Sequence, residues 1–323
     1  MHFRIQDEEG NFRGGVMYIL TQGMKQKTIA KILGGAFAVF TVFVSFVSCG
    51  ALQVNTISSA VSGLAGGGTV IPWIIAILIL VIDGLVIFGG VKKIADVTTY
   101  LTPIMALIYL GFGLVILIMN ITLIPQALWF IVKSAFTGDA VIGGVAGATM
   151  GVAIRRGVQR GVFSNEAGMG SAPIAAAAAR TDHPSRQGYV NMTGTFFDTM
   201  IICMLTGLVI ASSGALGMTD PATGKLVSGA NLTILAFQSA FGDAAPFVVS
   251  VSLALFAFST ILGWEYYGEK SLEYLVKARP VIIGYRIIFS LITFIGATQT
   301  LDVVWNFSDT MNGLMAIPNL LCL

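Results

Sequence analysis

The sequence Phe163-Ser164-Asn165-Glu166-Ala167-Gly168-Met169-Gly170-Ser171-Ala172-Pro173 predicts an interruption in a membrane-spanning helix. It places two glycines, a proline, an amide and a carboxylate within an apolar part of the chain. In hydrocarbon, a backbone that leaves the helix must find partners for its N–H and C=O groups, so such breaks occur where they line a cavity enclosed by protein. Gly168 and Gly170 tolerate non-helical backbone, and Pro173 fits the first turn of a new helix. We therefore expect the chain to leave the helix between Asn165 and Gly170.

Glycine-rich apolar helices also occur where helices pack closely. Gly143, Gly147 and Gly151 recur every four residues, and we interpret them as a packing face. Packing alone does not require a glutamate within the membrane, so Glu166 favours a functional break. Broken helices whose ends point at a substrate and a coupling ion are typical of secondary transporters.

Composition indicates a membrane protein. Of 323 residues, 55% are hydrophobic and 11% are charged, whereas soluble domains carry about 25% charged residues. The net charge of +2 and the lack of a long basic run give no reason to expect a nucleic-acid partner. The three cysteines have no metal-ligand spacing, and no His-Glu-x-x-His zinc motif is present. We expect no enzyme activity and no cofactor, and the polar N-terminus does not resemble a signal peptide.

Hydropathy predicts about eight transmembrane helices, one of them discontinuous. We place these spans at residues 30–57, 70–90, 98–120, 141–179, 190–212, 246–266, 281–297 and 301–323. Residues 1–29 are interpreted as a cytoplasmic loop with a short amphipathic helix, and residues 125–136 and 230–241 as further amphipathic helices. The last span carries several polar side chains and Pro318, so we expect it to be irregular.

The distribution of lysine and arginine predicts orientation. With the N-terminus of the chain in the cytoplasm, the inner loops hold Arg4, Arg13, Lys25, Lys27, Lys31, Lys92, Lys93, Arg180, Arg186, Lys270, Lys277 and Arg279. The outer loops hold Lys133 and Lys225. Arg155, Arg156 and Arg160 do not follow this rule, so they lie either on a water-filled outer vestibule or in an inner loop. We expect a multi-pass protein of the plasma membrane.

Several motifs closely resemble the alanine or glycine:cation symporter family of bacteria and archaea. They are Gly161 to Pro173, Gln53-Val54-Asn55-Thr56-Ile57, Phe197-Asp198-Thr199, Phe258-Ser259-Thr260-Ile261-Leu262-Gly263-Trp264 and Trp305-Asn306-Phe307-Ser308-Asp309. The resemblance covers essentially the whole chain and implies an all-α polytopic membrane protein with the inverted-repeat fold of bacterial leucine transporters.

That fold contains two five-helix repeats of opposite orientation. Residues 1–323 are then a single transporter domain, with three spans of the first repeat in residues 30–120 and five spans of the second in residues 141–323. The resemblance therefore implies an incomplete fold, a fragment that lacks the first two core helices and the last helix.

The first predicted span offers three candidate substrate-binding residues. Phe46, Gly50 and Gln53 recur at spacings of four and three, so they share one face of a regular helix. Ordinary helix packing explains the spacing equally well, and the resemblance favours the pocket.

The sixth span and the break offer the other candidates. Thr260 and Trp264 lie one turn apart, and the resemblance implies that Ser259 and Thr260 ligate sodium, a hard cation that prefers oxygen ligands. A serine or threonine within a helix also bonds to its own backbone, which is the alternative.

In the broken helix, Phe163 covers the ligand, Ser164 contributes an oxygen to sodium, and carbonyls from Asn165 to Gly168 hold the substrate ammonium group, as the resemblance implies. We interpret Glu166 as a structural anchor in preference to a coupling group. Asp198 and Thr199 support an ion site. The substrate carboxylate is assigned to the absent first helix.

The predicted function is symport of alanine or glycine, coupled to sodium or to protons, in a lipid bilayer. An alternative is a truncated membrane protein that inserts without transporting. A channel does not explain a resemblance along the whole chain, and an intramembrane enzyme lacks a recognisable motif.

Overall fold

The computed structural model describes residues 2–6, 10–64, 68, 70–136, 150–220, 224, 226–298 and 301–322, without the side chains of residues 91, 92, 135, 136, 150–154, 156 and 301–304. Within these ranges, five helical segments are long and apolar enough to cross a membrane: Lys27–Leu64, Lys93–Met119, Pro184–Ser212, Ala244–Leu275 and Arg279–Gly296. A multi-pass membrane protein is therefore supported, as the composition predicts. The number of eight spans and the division into repeats stay predictions. Gly143 and Gly147 lie outside the described residues.

The structure is built almost entirely from helices. They are α1 Val16–Gly23, α2 Lys27–Val44, α3 Leu52–Leu64, α4 Ile71–Ile87, α5 Gly90–Met119, α6 Ile124–Phe136, α7 Met150–Asn165, α8 Ala172–Ala178, α9 Pro184–Phe196, α10 Met204–Ser212, α11 Gly229–Phe241, α12 Ala244–Leu275, α13 Arg279–Gly296 and α14 Leu301–Leu320. A π-helical segment, Ser45–Ala51, joins α2 to α3, and a second, Phe197–Cys203, joins α9 to α10. Such π segments are rare and are frequent at functional sites.

Helix α12 lies at the centre of the bundle. It packs against α2, α3, α5 and α11, while α13 packs against α4 and the first π segment. Ile261 and Leu262 of α12 are buried with Phe289 of α13 in one apolar core. On the outside, large apolar side chains such as Leu107 of α5, which is 72% exposed, face outward. This pattern fits a bundle whose outer surface meets lipid.

The N-terminal segment forms a small antiparallel hairpin, Ile5–Gln6 with Phe12–Arg13, where the sequence predicts a loop. Strands of two residues are too short to show alternation, so the pattern could not reveal them. The Arg4 guanidinium donates to the carbonyls of Ala177 at 3.3 Å and Ala179 at 2.9 Å. A cation at the last carbonyls of a helix is favourable, so the hairpin stabilises the C-terminal end of α8.

Helix α14 is regular from Leu301 to Leu320, which corrects the expectation of an irregular last span. Two of its polar side chains have partners in the first π segment and in the segment before α8. Ser308 donates to Ser48 at 2.7 Å, and Asn319 donates to the Gly168 carbonyl at 2.8 Å. Pro318 lies in the last turn, where the loss of one backbone hydrogen bond does not divide the helix.

Candidate substrate and ion site at the broken helix

The predicted break is confirmed. Helix α7 ends at Asn165 and α8 begins at Ala172, with Pro173 in its first turn. Between them, Glu166, Gly168 and Gly170 have φ angles of 57°, 83° and 86°. Glu166 is the one residue other than glycine with a positive φ in the described part of the chain. A bulky side chain rarely adopts this conformation, so the surrounding contacts must hold it.

Glu166 is held by two hydrogen bonds. Its Oε1 accepts from the indole Nε1 of Trp264 at 2.8 Å, and its Oε2 accepts from the hydroxyl of Ser171 at 2.6 Å. Ser171 immediately precedes α8, whereas Trp264 lies on the central helix α12. The carboxylate therefore ties the break to α12, which supports its interpretation as an anchor.

Asn165 and Gly168 shape the break and do not line the cavity beside it. Asn165 Oδ1 accepts from the backbone N–H of Ala167 at 2.9 Å, and its Nδ2 donates to Thr199 Oγ1 at 3.1 Å. The Gly168 carbonyl accepts from Asn319 of α14. That carbonyl is already satisfied by protein, which weakens its assignment to the substrate ammonium group.

A cavity of about 250 Å³ lies beside the break. Its lining combines α3, α7, α12 and the π segments: Cys49, Gln53, Phe163, Ser164, Glu166, Met169, Asp198, Thr260 and Trp264. Pockets for drug-sized ligands have volumes of about 300 to 1,000 Å³, so this one suits a smaller molecule. Five predicted site residues, distant in sequence, meet here: Gln53, Phe163, Ser164, Thr260 and Trp264.

Phe46 and Gly50 lie elsewhere. The Phe46 ring packs against Tyr285 and Phe289 of α13 at 5.2 and 6.2 Å between centroids. Gly50 also faces α13, where an added Cβ would lie 3.4 Å from Thr293 Cγ2. The prediction of a common face with Gln53 assumed a regular α-helix. The π segment Ser45–Ala51 widens the turn between these residues, so Gln53 points to the cavity and the other two do not.

Of the three predicted sodium ligands, Ser164 and Thr260 line the cavity and Ser259 does not. Ser164 Oγ donates to both carboxylate oxygens of Asp198, at 3.0 and 2.8 Å. Thr260 Oγ1 donates to the Phe256 carbonyl at 3.0 Å, as its alternative interpretation predicts, and the residue also lines the cavity. Ser259 is half-buried and is not part of the lining.

The cavity is closed on one side by Phe163 and Met169. These two residues also line a second cavity of about 190 Å³ toward α14, together with Asp309 and Gly313. The Phe163 ring lies 5.4 Å from that of Trp305. Phe163 and Met169 therefore form the wall between the two cavities.

An arginine braces this wall from α7. The Arg160 guanidinium lies 4.0 Å from the centre of the Trp305 ring, and its Nη2 donates to Asp309 Oδ2 at 2.7 Å. Both contacts join the end of α7 to α14. This ion pair and stacked ring fix the distance between the broken helix and α14 in this conformation.

The sequence of the whole chain, residues 1–323, matches the model of the sodium:alanine symporter family. The chain belongs to this family. It is 46% identical over 322 residues to the sodium/alanine symporter AgcS of Methanococcus maripaludis, an alignment that covers 99% of this chain and 68% of that protein.

Two relatives from Bacillus subtilis are similar over the same share of this chain, 99%. The amino-acid carrier protein AlsT is 36% identical and is covered over 64% of its length, and the probable sodium/glutamine symporter GlnT is 35% identical and is covered over 63%. The family and these relatives are transporters and not enzymes, as the resemblance predicts. The helices expected before and after this chain stay a prediction.

Sequence reasoning did not assign Met169 to the site of this symporter family member, nor did it identify the partners of Glu166. Met169 is one apolar residue among many, and nothing in its spacing indicates that it closes a cavity. The bond from Trp264 to Glu166 spans 98 residues. The presence of a tryptophan and a glutamate in two predicted spans is only a weak indication that the two residues pair. Many other side chains lie at the same depth in the bundle.

Proposed function

We propose that this chain forms the core of a sodium-coupled symporter for alanine or glycine that works by alternating access. The observation that carries this proposal is the 250 Å³ cavity at the break of α7 and α8. Its polar lining combines the Gln53 amide, the Thr260 hydroxyl and the Asp198 carboxylate with aromatic walls from Phe163 and Trp264. Such a site suits a small zwitterion and excludes long side chains by steric conflict.

We assign the coupling ion to the same cavity. Ser164, Asp198 and Thr260 present oxygen atoms there, and hard cations prefer oxygen ligands. Asp198 also supplies the negative charge that a cation requires. Ser259, the remaining candidate, lies off the lining, so we rank it below these three.

The wall of Phe163 and Met169 is proposed as the gate. Since these residues separate two cavities, a change in their position would join the substrate site to the space beside α14. We place the N-terminus of the chain in the cytoplasm and the protein in the plasma membrane, because lysines and arginines are concentrated in the loops on that side.

Uptake measurements test this proposal. Cells that express the full-length gene product carrying this chain are supplied with labelled alanine, glycine or glutamine, with sodium or with potassium in its place. We expect sodium-dependent uptake of alanine and glycine and weak competition by glutamine, because its longer side chain does not fit the cavity. Preferred uptake of glutamine, or uptake that does not require sodium, would contradict the proposal.

Thr260→Ala is expected to raise the sodium concentration needed for half-maximal uptake by about tenfold, because it removes one oxygen ligand of the ion. The matched control is Thr99→Ala. Thr99 makes the same bond to its own helix, to the Ala95 carbonyl at 2.7 Å, on an exposed face of α5. Equal sodium requirements in the two variants would show that the Thr260 hydroxyl only makes its hydrogen bond within α12 and does not bind sodium.

A further inference from the structure

A second buried polar cluster lies apart from the cavity, between α4, α12 and α13. Asp83 of α4, Glu265 and Glu269 of α12 are 0%, 1% and 3% exposed. Arg286 of α13 faces them. Ionisable groups within a membrane protein are costly to bury and are retained where they bind or move something.

Arg286 hydrogen-bonds to one of the three carboxyl groups and lies at the limit of ion-pair distance from a second. Its Nε donates to Glu269 Oε2 at 2.6 Å and lies 4.0 Å from Glu265 Oε1. Lys270 also lies 3.5 Å from Glu269 but binds Glu273 more closely, at 2.9 Å. Glu269 is therefore compensated by positive charge on both sides.

Asp83 has no such compensation among the described side chains, and Glu265 has only Arg286, at 4.0 Å. Both carboxylate oxygens of Asp83, and Oε1 of Glu265, are buried without a hydrogen-bond partner within the described part of the chain. On α4, Ile79 and Ile87 share the face of Asp83 and are buried in the apolar core. Asp83 thus carries a carboxyl group into an apolar helix interface.

The neighbouring helices offer Asp83 no free cation among the described side chains. Glu265 and Glu269 face it from α12, and Tyr285 and Arg286 from α13. The Tyr285 hydroxyl is engaged with Ser45 Oγ at 2.9 Å and with the Glu265 carbonyl at 3.2 Å. Helix α3 carries no ionisable residue, as its sequence shows.

Helix α5 also packs on α4. Its Lys93 donates to the Leu85 carbonyl at 2.8 Å, and its Asp96 is exposed. Asp83 is therefore a carboxyl group for which the described surroundings supply neither a close positive charge nor a donor, and Glu265 has only the Arg286 Nε, 4.0 Å away. An ionised carboxylate is strongly disfavoured in such a place, whereas a protonated one is tolerated.

We propose that Asp83 and Glu265 form a proton-binding site, separate from the amino-acid cavity, that holds a proton in this conformation. The proton comes from water and forms an O–H bond with a carboxylate oxygen, and it returns to water when the helices separate. Glu265 and Glu269 lie one turn apart on α12, and two carboxyl groups on one buried face favour a proton on one of them. Sodium would require several oxygen ligands, whereas a proton requires one.

Infrared spectroscopy tests the proton directly and does not depend on transport, so its outcome is separate from that of the proposed symport. The purified full-length protein is expected to show the C=O stretching band of a neutral carboxylic acid, shifted in deuterated water. Asp83→Asn or Glu265→Gln should remove or shift this band, while Asp96→Asn, which replaces an exposed carboxyl group on α5, should leave it unchanged. A spectrum that is the same in all four proteins would overturn the proposal.

The transport cycle supplies the second test, which is the pH profile of alanine uptake at saturating sodium. We expect the uptake rate of the wild type and of Asp96→Asn to fall by up to about tenfold per pH unit above the pH at which the site loses its proton. Asp83→Asn mimics the neutral acid and should vary by less than about twofold over that range. A wild-type profile retained in Asp83→Asn, or a change in sodium requirement alone, would contradict proton binding at this site.

Discussion

Gly170→Ala is expected to lower the thermal stability of the folded protein sharply and to abolish uptake. The φ angle of Gly170 is 86°, and an added Cβ would lie 2.7 Å from Val16 Cγ2 and 2.9 Å from the Asn319 side chain. The left-handed conformation costs about 1 to 2 kcal/mol for alanine. Overpacking of a filled interior costs a further 1 to 3 kcal/mol, roughly.

Two other glycines separate these effects. Gly168 has a φ of 83° but no atom within 4 Å of its added Cβ, so Gly168→Ala carries the conformational cost alone. Gly188 of α9 has neither constraint, and Gly188→Ala is expected to be neutral or slightly stabilising. Melting temperatures in detergent should therefore fall in the order Gly188→Ala, Gly168→Ala, Gly170→Ala. Equal melting temperatures for Gly168→Ala and Gly170→Ala would show that contact with α1 and α14 does not limit the space at Gly170.

The position of the break could be predicted from the sequence because its evidence is local. Two glycines, a proline and a glutamate within a few apolar residues are inconsistent with a continuous membrane helix. The sequence also places Thr260 and Trp264 one turn apart on a helix of regular geometry, and the family resemblance assigns this helix to the site. Residues on one regular face reach the same cavity, as these two do.

The residues that sequence reasoning misplaced depend on geometry that is not local. Phe46 and Gly50 turn toward α13 because the helix widens into a π segment, and a seven-residue change of hydrogen-bonding pattern has no clear sequence signal. In the sequence, Asp83 is a single acidic residue in a predicted span. Its proximity to Glu265 depends on the packing of α4 on α12, which the sequence does not indicate. The helix positions were therefore predictable where periodicity held, and the contacts between helices were not.

Glu166→Gln is expected to reduce uptake by about tenfold to a hundredfold, which corresponds to a hydrogen bond to a charged group of about 1.5 to 3 kcal/mol. The carboxylate accepts from both Trp264 and Ser171. A glutamine has nearly the same shape, but only its one side-chain oxygen can accept a hydrogen bond, because its NH₂ group can only donate. One of the two donors therefore loses its partner, and the break is tied to α12 or to α8, but not to both.

Substitution of one of the two donors, Ser171, distinguishes an anchor from a coupling group. If Glu166 anchors the break, Ser171→Ala should reproduce part of the loss, and its effect should not add to that of Glu166→Gln, because both remove one bond. The sodium requirement of the remaining uptake should stay unchanged in both variants. A coupling group would behave differently: Glu166→Gln would alter the sodium requirement, and Ser171→Ala would have little effect. The measurement is uptake at varied sodium by Glu166→Gln, Ser171→Ala and the double variant, at matched amounts in the membrane. It decides between the two roles because an anchor acts on geometry and a coupling group acts on charge.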